Sequence, residues 1–538
     1  MDEFSYTASM DDPCDWWRLG NDYSAIPIRH DGRKVKGVPV GNRWFMKLHH
    51  MADDKIQGRG LGAYDAEGAP QKGGQDGGKS KRVGMLEQNA LLSHGALAVM
   101  NEDMRVKGQA SPEYWARYMS GYKPETPKVP FVYNKFVNQL RASGINVIRQ
   151  GERSHIMAMT NKSVDELVGD RELKNAETVN WKDMAPVKGG LFDQTLTGGH
   201  GGTAGGGNMW SFIRLHQPLP NPVMEEPIRH ILGLTQKKLQ DVIGGKEQLN
   251  GKTGAAAIGA ALASINLPRA LENARADIKS GKKTLRDKAV RRLGYLKTCE
   301  RLGTHPKDWM MDKVPVLPPA FRPVSVMGAK KLPLVADPNY LYKDLFQLNQ
   351  MHKELADQLD PDALGDEQAA VYNAFKAVTG LGDPVGIKNQ ERGVKGILKS
   401  VFGSSPKYGV MNRKLLSSTV DMVGRGVIAP DPNLTLDETG IPETAAWDVF
   451  GPSVVRRMVR AGVSRQKAVQ SVKDQLPAAK QYLQKEMDEG VVVLSRAPTL
   501  HRYGTMAFRP KLIKGSAIKM NPLVNKGFGA DFDGRLTQ

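Results

Sequence analysis

Between Arg496 and Lys526 the chain carries seven basic residues (Arg496, Arg502, Arg509, Lys511, Lys514, Lys519 and Lys526) and no acidic one. A one-signed stretch interleaved with apolar residues cannot be a surface helix held by i,i+4 ion pairs. It reads as strands and turns that leave cations for an external anion. The 538-residue chain repeats the bias, with 76 Lys or Arg against 57 Asp or Glu and a net charge of +19. A generally basic surface would account for the total, but a concentrated run suits a polyanion, usually nucleic acid. Shortly after the run stands Asp531-Phe532-Asp533-Gly534. In an extended segment residues i and i+2 face the same way, so Asp531 and Asp533 can reach one divalent cation while Phe532 turns behind them. Hard oxygen ligands of this kind suit Mg²⁺, which keeps waters and substrate phosphates as its other ligands. A calcium loop would need a glutamate several residues on, where this sequence has Leu536-Thr537-Gln538. An ordinary acidic turn is the plain alternative.

Other classes fall away on composition. An apolar share of 40% and a charged share of 25% describe an ordinary globular protein, and the length predicts about three or four domains. Two cysteines, Cys14 and Cys299, exclude a disulfide framework and a four-cysteine zinc site, and fit a reducing compartment. The start, Met1-Asp2-Glu3-Phe4-Ser5, lacks the apolar core of a secretory leader. The stretch 254–267 is too short and too rich in Gly and Ala to span a bilayer, so no membrane partner is expected.

Along the chain, 31–60 reads as strands and turns, and 68–84 as a glycine-punctuated basic loop. Met85, Leu92, Ala96 and Val99 predict one apolar face on one helix, and 131–140 predicts another helix stopped by Ser143-Gly144. Residues 198–207 are a glycine tract around His200, better read as a linker than as a metal site. Residues 244–290 look like a variable helical insertion. Leu341, Leu345, Leu348, Leu355 and Leu359, then Val371, Phe375 and Val378, predict a helical hairpin broken at Asp360-Pro361-Asp362 and stopped at Gly380. Strands return at 490–494 and 517–520.

The acidic tetrapeptide is preceded by Ser495-Arg496-Ala497-Pro498-Thr499-Leu500-His501-Arg502. Together these segments resemble the catalytic β′ subunit of multisubunit DNA-directed RNA polymerases. Val420-Asp421-Met422-Val423-Gly424-Arg425-Gly426-Val427-Ile428 is similar to that family's template-gripping switch segment. Leu317-Pro318-Pro319-Ala320-Phe321-Arg322-Pro323 resembles the approach to its lid loop, and Gly190-Leu191-Phe192-Asp193 an early clamp segment. Residues 31–150 instead resemble the C-terminal part of the partner subunit β, through Met46-Lys47-Leu48-His49-His50 to Asp54-Lys55, Lys72-Gly73-Gly74-Gln75, Gly77-Gly78-Lys79 and Met85-Leu86-Glu87.

The resemblance implies a phage-type fusion of the end of β to the beginning of β′. The implied fold is α+β and multidomain, with part of a double-psi β-barrel and a helical clamp. Its expected divisions are a lead at 1–30, a β-like core at 31–110 and a β-like clamp base at 111–165. A β′-like clamp follows at 166–336, then the clamp-helix hairpin at 337–380, a switch segment at 381–430 and the barrel at 431–538. The implied activity is template-dependent nucleotidyl transfer to an RNA 3′ end by a two-metal route, with Mg²⁺ on Asp531 and Asp533 and no zinc. Lys47 and Lys55 would lie beside the RNA end and incoming nucleotide, and Arg496 would help read the ribose. Lys72, Lys79, Arg413, Lys414, Arg425 and Arg502 would contact nucleic acid. Implied partners are template DNA, product RNA, NTPs, the remaining β and β′ portions, and an initiation factor at 337–380. The implied location is the cytoplasm of an infected bacterium, with the virion as the alternative.

Several positions depart from the family pattern. Arg535 stands where a third Asp is expected, Gly529 where an Asn is, and Ser418-Thr419 where a basic pair is. With no bridge helix, trigger loop or β lobes in the sequence, the chain alone is expected to be inactive, and Arg535 to Gln538 reads as run-on into an intervening sequence. A rival reading is a non-catalytic nucleic-acid-binding or decoy subunit. An RNA-copying polymerase with a related barrel is a second rival, disfavoured by the switch and clamp segments.

Overall fold

The computed structural model describes residues 28–30, 33–35, 51–73, 78–125, 127, 129–151, 153–200, 207–279, 283–327, 332–403, 408–532 and 536–537. The chain divides into two units, 1–54 and 55–538. In the first, Ile28–His30 and Arg33–Val35 pair antiparallel. Lys47, Asp533 and Arg535 lie outside the described residues, as do positions 201–206 of the glycine tract.

The second unit is mixed α+β. Among its strands are β1 (Gln57–Arg59), β2 (Lys81–Val83), β3 (Ser418–Val420), β4 (Val423–Pro430), β5 (Glu438–Pro442), β6 (Val492–Ser495), β7 (Thr505–Ile513), β8 (Ile518–Met520) and β9 (Leu536–Thr537). Seven of them form one sheet in the order β6–β7–β5–β8–β4, with β1 and β9 both paired to β4, and the sheet curls into a half-barrel. The pairs β5–β7 and β4–β8 are parallel, whereas β5–β8 and β6–β7 are antiparallel. Strands β2 and β3 form a separate antiparallel pair. Helices Glu443–Arg460, Arg465–Lys473 and Pro477–Glu489 build a core with Ile441, Trp447, Phe450 and Leu483, and partly buried Val492 and Leu512 of the sheet pack against it.

The parallel β5–β7 register alters the meaning of the acid-free run. It sets Glu438 opposite Arg509 and brings the 431–438 loop alongside. Arg509 then meets Asp437 at 3.7 Å, Lys511 meets Glu438 at 3.5 Å and Lys519 meets Asp431 at 3.2 Å. Acids remote in sequence partly neutralise a stretch that looks uncompensated when read alone.

A larger core lies in 131–402. The antiparallel strands Ser211–Pro220 and Met310–Val316 pack against helices Gly254–Ala263, Asp337–Ala356 and Gly365–Thr379 through Phe212, Ile213, Ile258, Leu341, Tyr372 and Phe375. Gly380 ends the hairpin with φ of 90°, as its position predicts. The Phe131–Ala142 helix also ends at the expected Ser143-Gly144. The 244–290 segment is less peripheral than its composition suggests, because Ala255, Ile258 and Leu262 are fully buried. Among the described residues no single helix is long and apolar enough to cross a membrane.

The expected single helix after Met85 is instead two, Met85–Ser93 and Leu97–Arg105, separated by Gly95 with φ of 71°. Met85 and Leu92 are exposed, while Glu87, Gln88, Ala90 and Leu91 are buried. A polar contact decides which face turns inward, as described below.

Two of the sequence motifs meet at one buried cation. Arg322 is fully buried and donates to the carbonyls of Leu317 (2.5 Å) and Leu191 (2.6 Å) and to Asn339 Oδ1 (2.7 Å). Its guanidinium lies 4.7 Å from the Phe192 ring centroid, and burial pushes its pKa down to about 10. A planar fork can serve three acceptors at once, which an ammonium on a flexible stem cannot. Replacing Arg322 with Leu leaves these acceptors buried and unmet, at about 1–3 kcal/mol each. The thermal midpoint of Arg322→Leu should drop well below that of an exposed control such as Lys297→Gln, and Arg322→Lys should not restore it.

Candidate nucleic-acid interface

The region between 55 and 94 interlocks with 417–430 and with 495–505. Arg59, at the end of β1, donates from Nε to Asp421 Oδ1 at 2.7 Å, and Tyr64 donates its hydroxyl to Asp421 Oδ2 at 2.6 Å. Arg59 also donates through Nη2 to the Ala63 carbonyl at 2.9 Å and through Nη1 to that of Gln71 at 3.3 Å. Burial opposes ionisation of Asp421 and raises its pKa, while the Tyr64 and Arg59 hydrogen bonds act against that rise. Met422 follows with φ of 56°, uncommon for a non-glycine residue. Backbone N–H groups of Asp421 and Met422 donate hydrogen bonds to the carbonyls of Lys107 (2.9 Å) and Gly60 (3.3 Å) and fix this turn. At Gly426 an added Cβ would sit 2.7 Å from Ile56 Cδ1 and 3.3 Å from Ile518 Cγ1, so a larger residue there would have to displace these side chains.

A second lock joins Met85–Ser93 to the segment before the acidic motif. Thr499 donates to buried Glu87 Oε1 at 3.2 Å. His94 Nε2 lies 2.8 Å from the Arg502 carbonyl and 3.1 Å from that of Thr505, so it carries the proton. Arg496 is buried and donates to the Phe528 carbonyl at 3.3 Å, near Asp531, which is exposed. Among the described residues no group of three His, Cys, Asp or Glu is placed to hold a metal ion.

Beside the first lock, whose Arg59 donates to the carbonyl of lining residue Gln71, lies a cavity of about 370 Å³ lined by Lys72, Arg82, Arg413, Lys414, Tyr133 and Ser417, among others. Arg82 donates to Ser417 Oγ at 2.9 Å and to the Asn412 carbonyl at 3.4 Å. Lys414 is ion-paired with Glu67, which Lys135 also meets at 2.7 Å. Burial opposes ionisation of Glu67, but Lys135 and Lys414 outweigh it and hold the carboxyl below its usual range. Asp65 also lines the cavity, with Oδ1 accepting from the amides of Glu67 and Ala69, both at 2.9 Å. No carboxylate pairs with Lys72 or Arg413 among the described residues. Burial, then the charges of Arg82 and Arg413, push the Lys72 amine down. Lys81, on the other face of the strand, is lowered by burial, Arg425 and Lys79. The alternation of β2 thus sends Arg82 to one basic group and Lys81 to another.

The expected residues fall into three places. Lys72, Arg413 and Lys414 converge on the cavity, Lys79 and Arg425 gather at Lys81, and Arg496, Arg502 and Asp531 lie in the 495–531 region. Lys55 stands half-buried two residues before β1. Sequence reading passed over Lys81 and Arg82, although Lys79-Ser80-Lys81-Arg82 as a strand puts a cation on each face.

The RNA polymerase Rpb1, domain 2 family matches residues 417–490 and 479–536. The chain is 32% identical over 323 residues to the DNA-directed RNA polymerase subunit β′ of Nocardioides sp., covering 55% of this chain and 24% of that one. It is 33% identical over 314 residues to the same subunit of Salinispora tropica, covering 56% of this chain and 23% of that one.

Removing one neighbouring cation should release Lys72. In an NMR titration of ¹³C-methylated lysines, the Lys72 signal should titrate below the ordinary lysine range and move up in Arg82→Gln. An unchanged midpoint would contradict the clustered geometry.

Residues 417–536 therefore resemble the RNA polymerase Rpb1, domain 2 family, and the chain is similar over more than half its length to β′ subunits, of which it spans about a quarter.

Proposed function

We propose that this chain is part of a DNA-directed RNA polymerase in which a β-like C-terminal segment and a β′-like N-terminal segment act as one piece. The observation that carries the reading is the convergence of Lys72 and Arg82 with Arg413, more than 300 positions away, on one cavity. Burial and the charges of Arg82 and Arg413 disfavour the charged form of Lys72, so the group is held together at an energetic cost that a phosphate backbone offsets. Lys79, Lys81 and Arg425 would extend the track. Lys47 and Lys55 would face the RNA end, and Arg502 the product or template.

Asp531 offers an exposed hard-oxygen donor, which suits Mg²⁺, and Asp533 would share the ion. Bound there, Mg²⁺ would polarise a triphosphate and favour attack by an RNA 3′-hydroxyl. Arg496, tied to the Phe528 carbonyl, would hold the turn that presents Asp531. The double-psi closure of the sheet, the proposed domain divisions, initiation-factor docking at 337–380 and a phage-type enzyme in the infected cell's cytoplasm belong to the same proposal.

The test uses the complex recovered from its native source through a tag on this chain. Affinity for an RNA–DNA hybrid should fall as KCl rises, and Arg82→Gln with Arg413→Gln should flatten the log–log slope by roughly 1.4–1.8. Asp531→Asn should leave binding intact and reduce Mg²⁺-dependent extension of the RNA by roughly a hundredfold or more, the scale of losing one electrostatic contact to developing charge. An unchanged slope refutes the cavity's role. A complex that binds the hybrid but never extends it favours the non-catalytic reading.

A further inference from the structure

We propose that the cavity at Lys72, Arg82 and Arg413 is an acylation site, in which Lys72 accepts the acyl group of a small acyl phosphate. The regulatory consequence of that modification rests on the reading of the cavity given above. The acylation itself does not, and it is measured separately.

Lys72 lines the cavity and is exposed as a residue, so a solute reaches its amine. The arginines beside it are fixed in place by one buried hydroxyl. Arg82 donates to Ser417 Oγ from Nε at 3.2 Å and from Nη2 at 2.9 Å, and Ser417 Oγ donates to the Arg413 carbonyl at 2.8 Å. Lys414 is taken up by Glu67, and Asp65, the carboxylate of the lining, turns Oδ1 to the amides of Glu67 and Ala69. Lys72 is thus an amine of the cavity that no carboxylate among the described residues holds in its charged form. Pro130, Val132 and Leu415 add an apolar wall that suits an acyl chain.

An ammonium has no lone pair, so a lysine attacks only through its neutral form, which burial and neighbouring cations favour. Both act on Lys72, burial first and then the charges of Arg82 and Arg413. The same guanidiniums suit the other end of the reagent, because a planar fork pairs with phosphate oxygens bidentately. One pair of arginines therefore activates the nucleophile and holds the leaving group. The Nζ lone pair forms a bond to the acyl carbonyl carbon. The bond from that carbon to the phosphate oxygen breaks, inorganic phosphate leaves with the electron pair, and the proton shed by Nζ passes to water. Lys81 provides the contrast: its amine is also lowered, by burial, Arg425 and Lys79, but it donates to Gln57 Oε1 and is not on the cavity lining. The amide formed at Lys72 is neutral, so the cavity loses one cation and, on the reading above, one phosphate contact.

The test treats the tagged native complex with acetyl phosphate and follows acetylation of each lysine by peptide mass spectrometry. Lys72 should react about tenfold faster than the exposed Lys297, the rate equivalent of one hydrogen bond to a charged group. Inorganic phosphate should compete and bring Lys72 towards Lys297, and Arg413→Gln should do the same with an unchanged thermal midpoint. With N-hydroxysuccinimidyl acetate, which carries no phosphate, the lead of Lys72 over Lys297 should shrink. A Lys72 rate no greater than that of Lys297, or one that inorganic phosphate leaves unchanged, would overturn the proposal. Lys72→Gln, which stands in for the acylated side chain, should flatten the salt slope of hybrid binding by about 0.7–0.9. Fast acetylation of Lys72 with no change of slope in Lys72→Gln would uphold the acylation site and refute the nucleic-acid reading. Hybrid binding that depends on Arg82 and Arg413 while Lys72 reacts no faster than Lys297 would refute this inference alone.

Discussion

The buried contact between Arg59 and Asp421 is the constraint on which the candidate interface depends. It joins residues 362 positions apart, with side chains 2% and 0% exposed. Two charges out of water tolerate little misplacement, because either one left alone costs several kcal/mol. The pair therefore works as a register pin. With Arg59 on Asp421, β1 must lie along β4 with Val423 opposite Arg59, and β2 must meet β3 with Val83 opposite Ser418. Arg82 and Arg413 reach the same cavity only because that register holds. Tyr64 fills the carboxylate's second oxygen, so the pair is satisfied as well as enclosed.

Arg322 plays a comparable part in the 131–402 core, by a different route. Among the described residues it has no carboxylate partner, and it is held by two carbonyls, an amide oxygen and the face of Phe192. The segments it ties, 190–193 and 317–323, were legible as motifs. That they surround one buried guanidinium was not, since an arginine after an apolar run reads as an exposed cation. Local periodicity served better: the hairpin helices and their Gly380 stop follow directly from the spacing of Leu341, Leu345, Val371, Phe375 and Val378.

Misreadings arose where a partner distant in sequence decides the outcome. The run from Arg496 to Lys526 looks uncompensated until β5 pairs in parallel with β7 and delivers Asp437 and Glu438. The helix at Met85 turns Glu87 inward rather than Met85 and Leu92, because Glu87 meets Thr499 across 412 positions. Lys81 and Arg82 were visible as residues, but their division between two basic groups needs the strand that β3 pairs with. Charge composition pointed to an anion partner, while the place proposed for it rests on the pairing of strands.

The account's central claim is that 55–84 and 417–430 are one structural piece pinned by Arg59 and Asp421. A double-mutant cycle tests it most directly, with unfolding free energies measured for the parent, Arg59→Met, Asp421→Leu and the pair combined. Each single change should cost about 3–5 kcal/mol, since it strands the other charge in the interior, and the double change should cost markedly less than their sum. Additive losses, or single losses near zero, would show that the two segments do not depend on this contact.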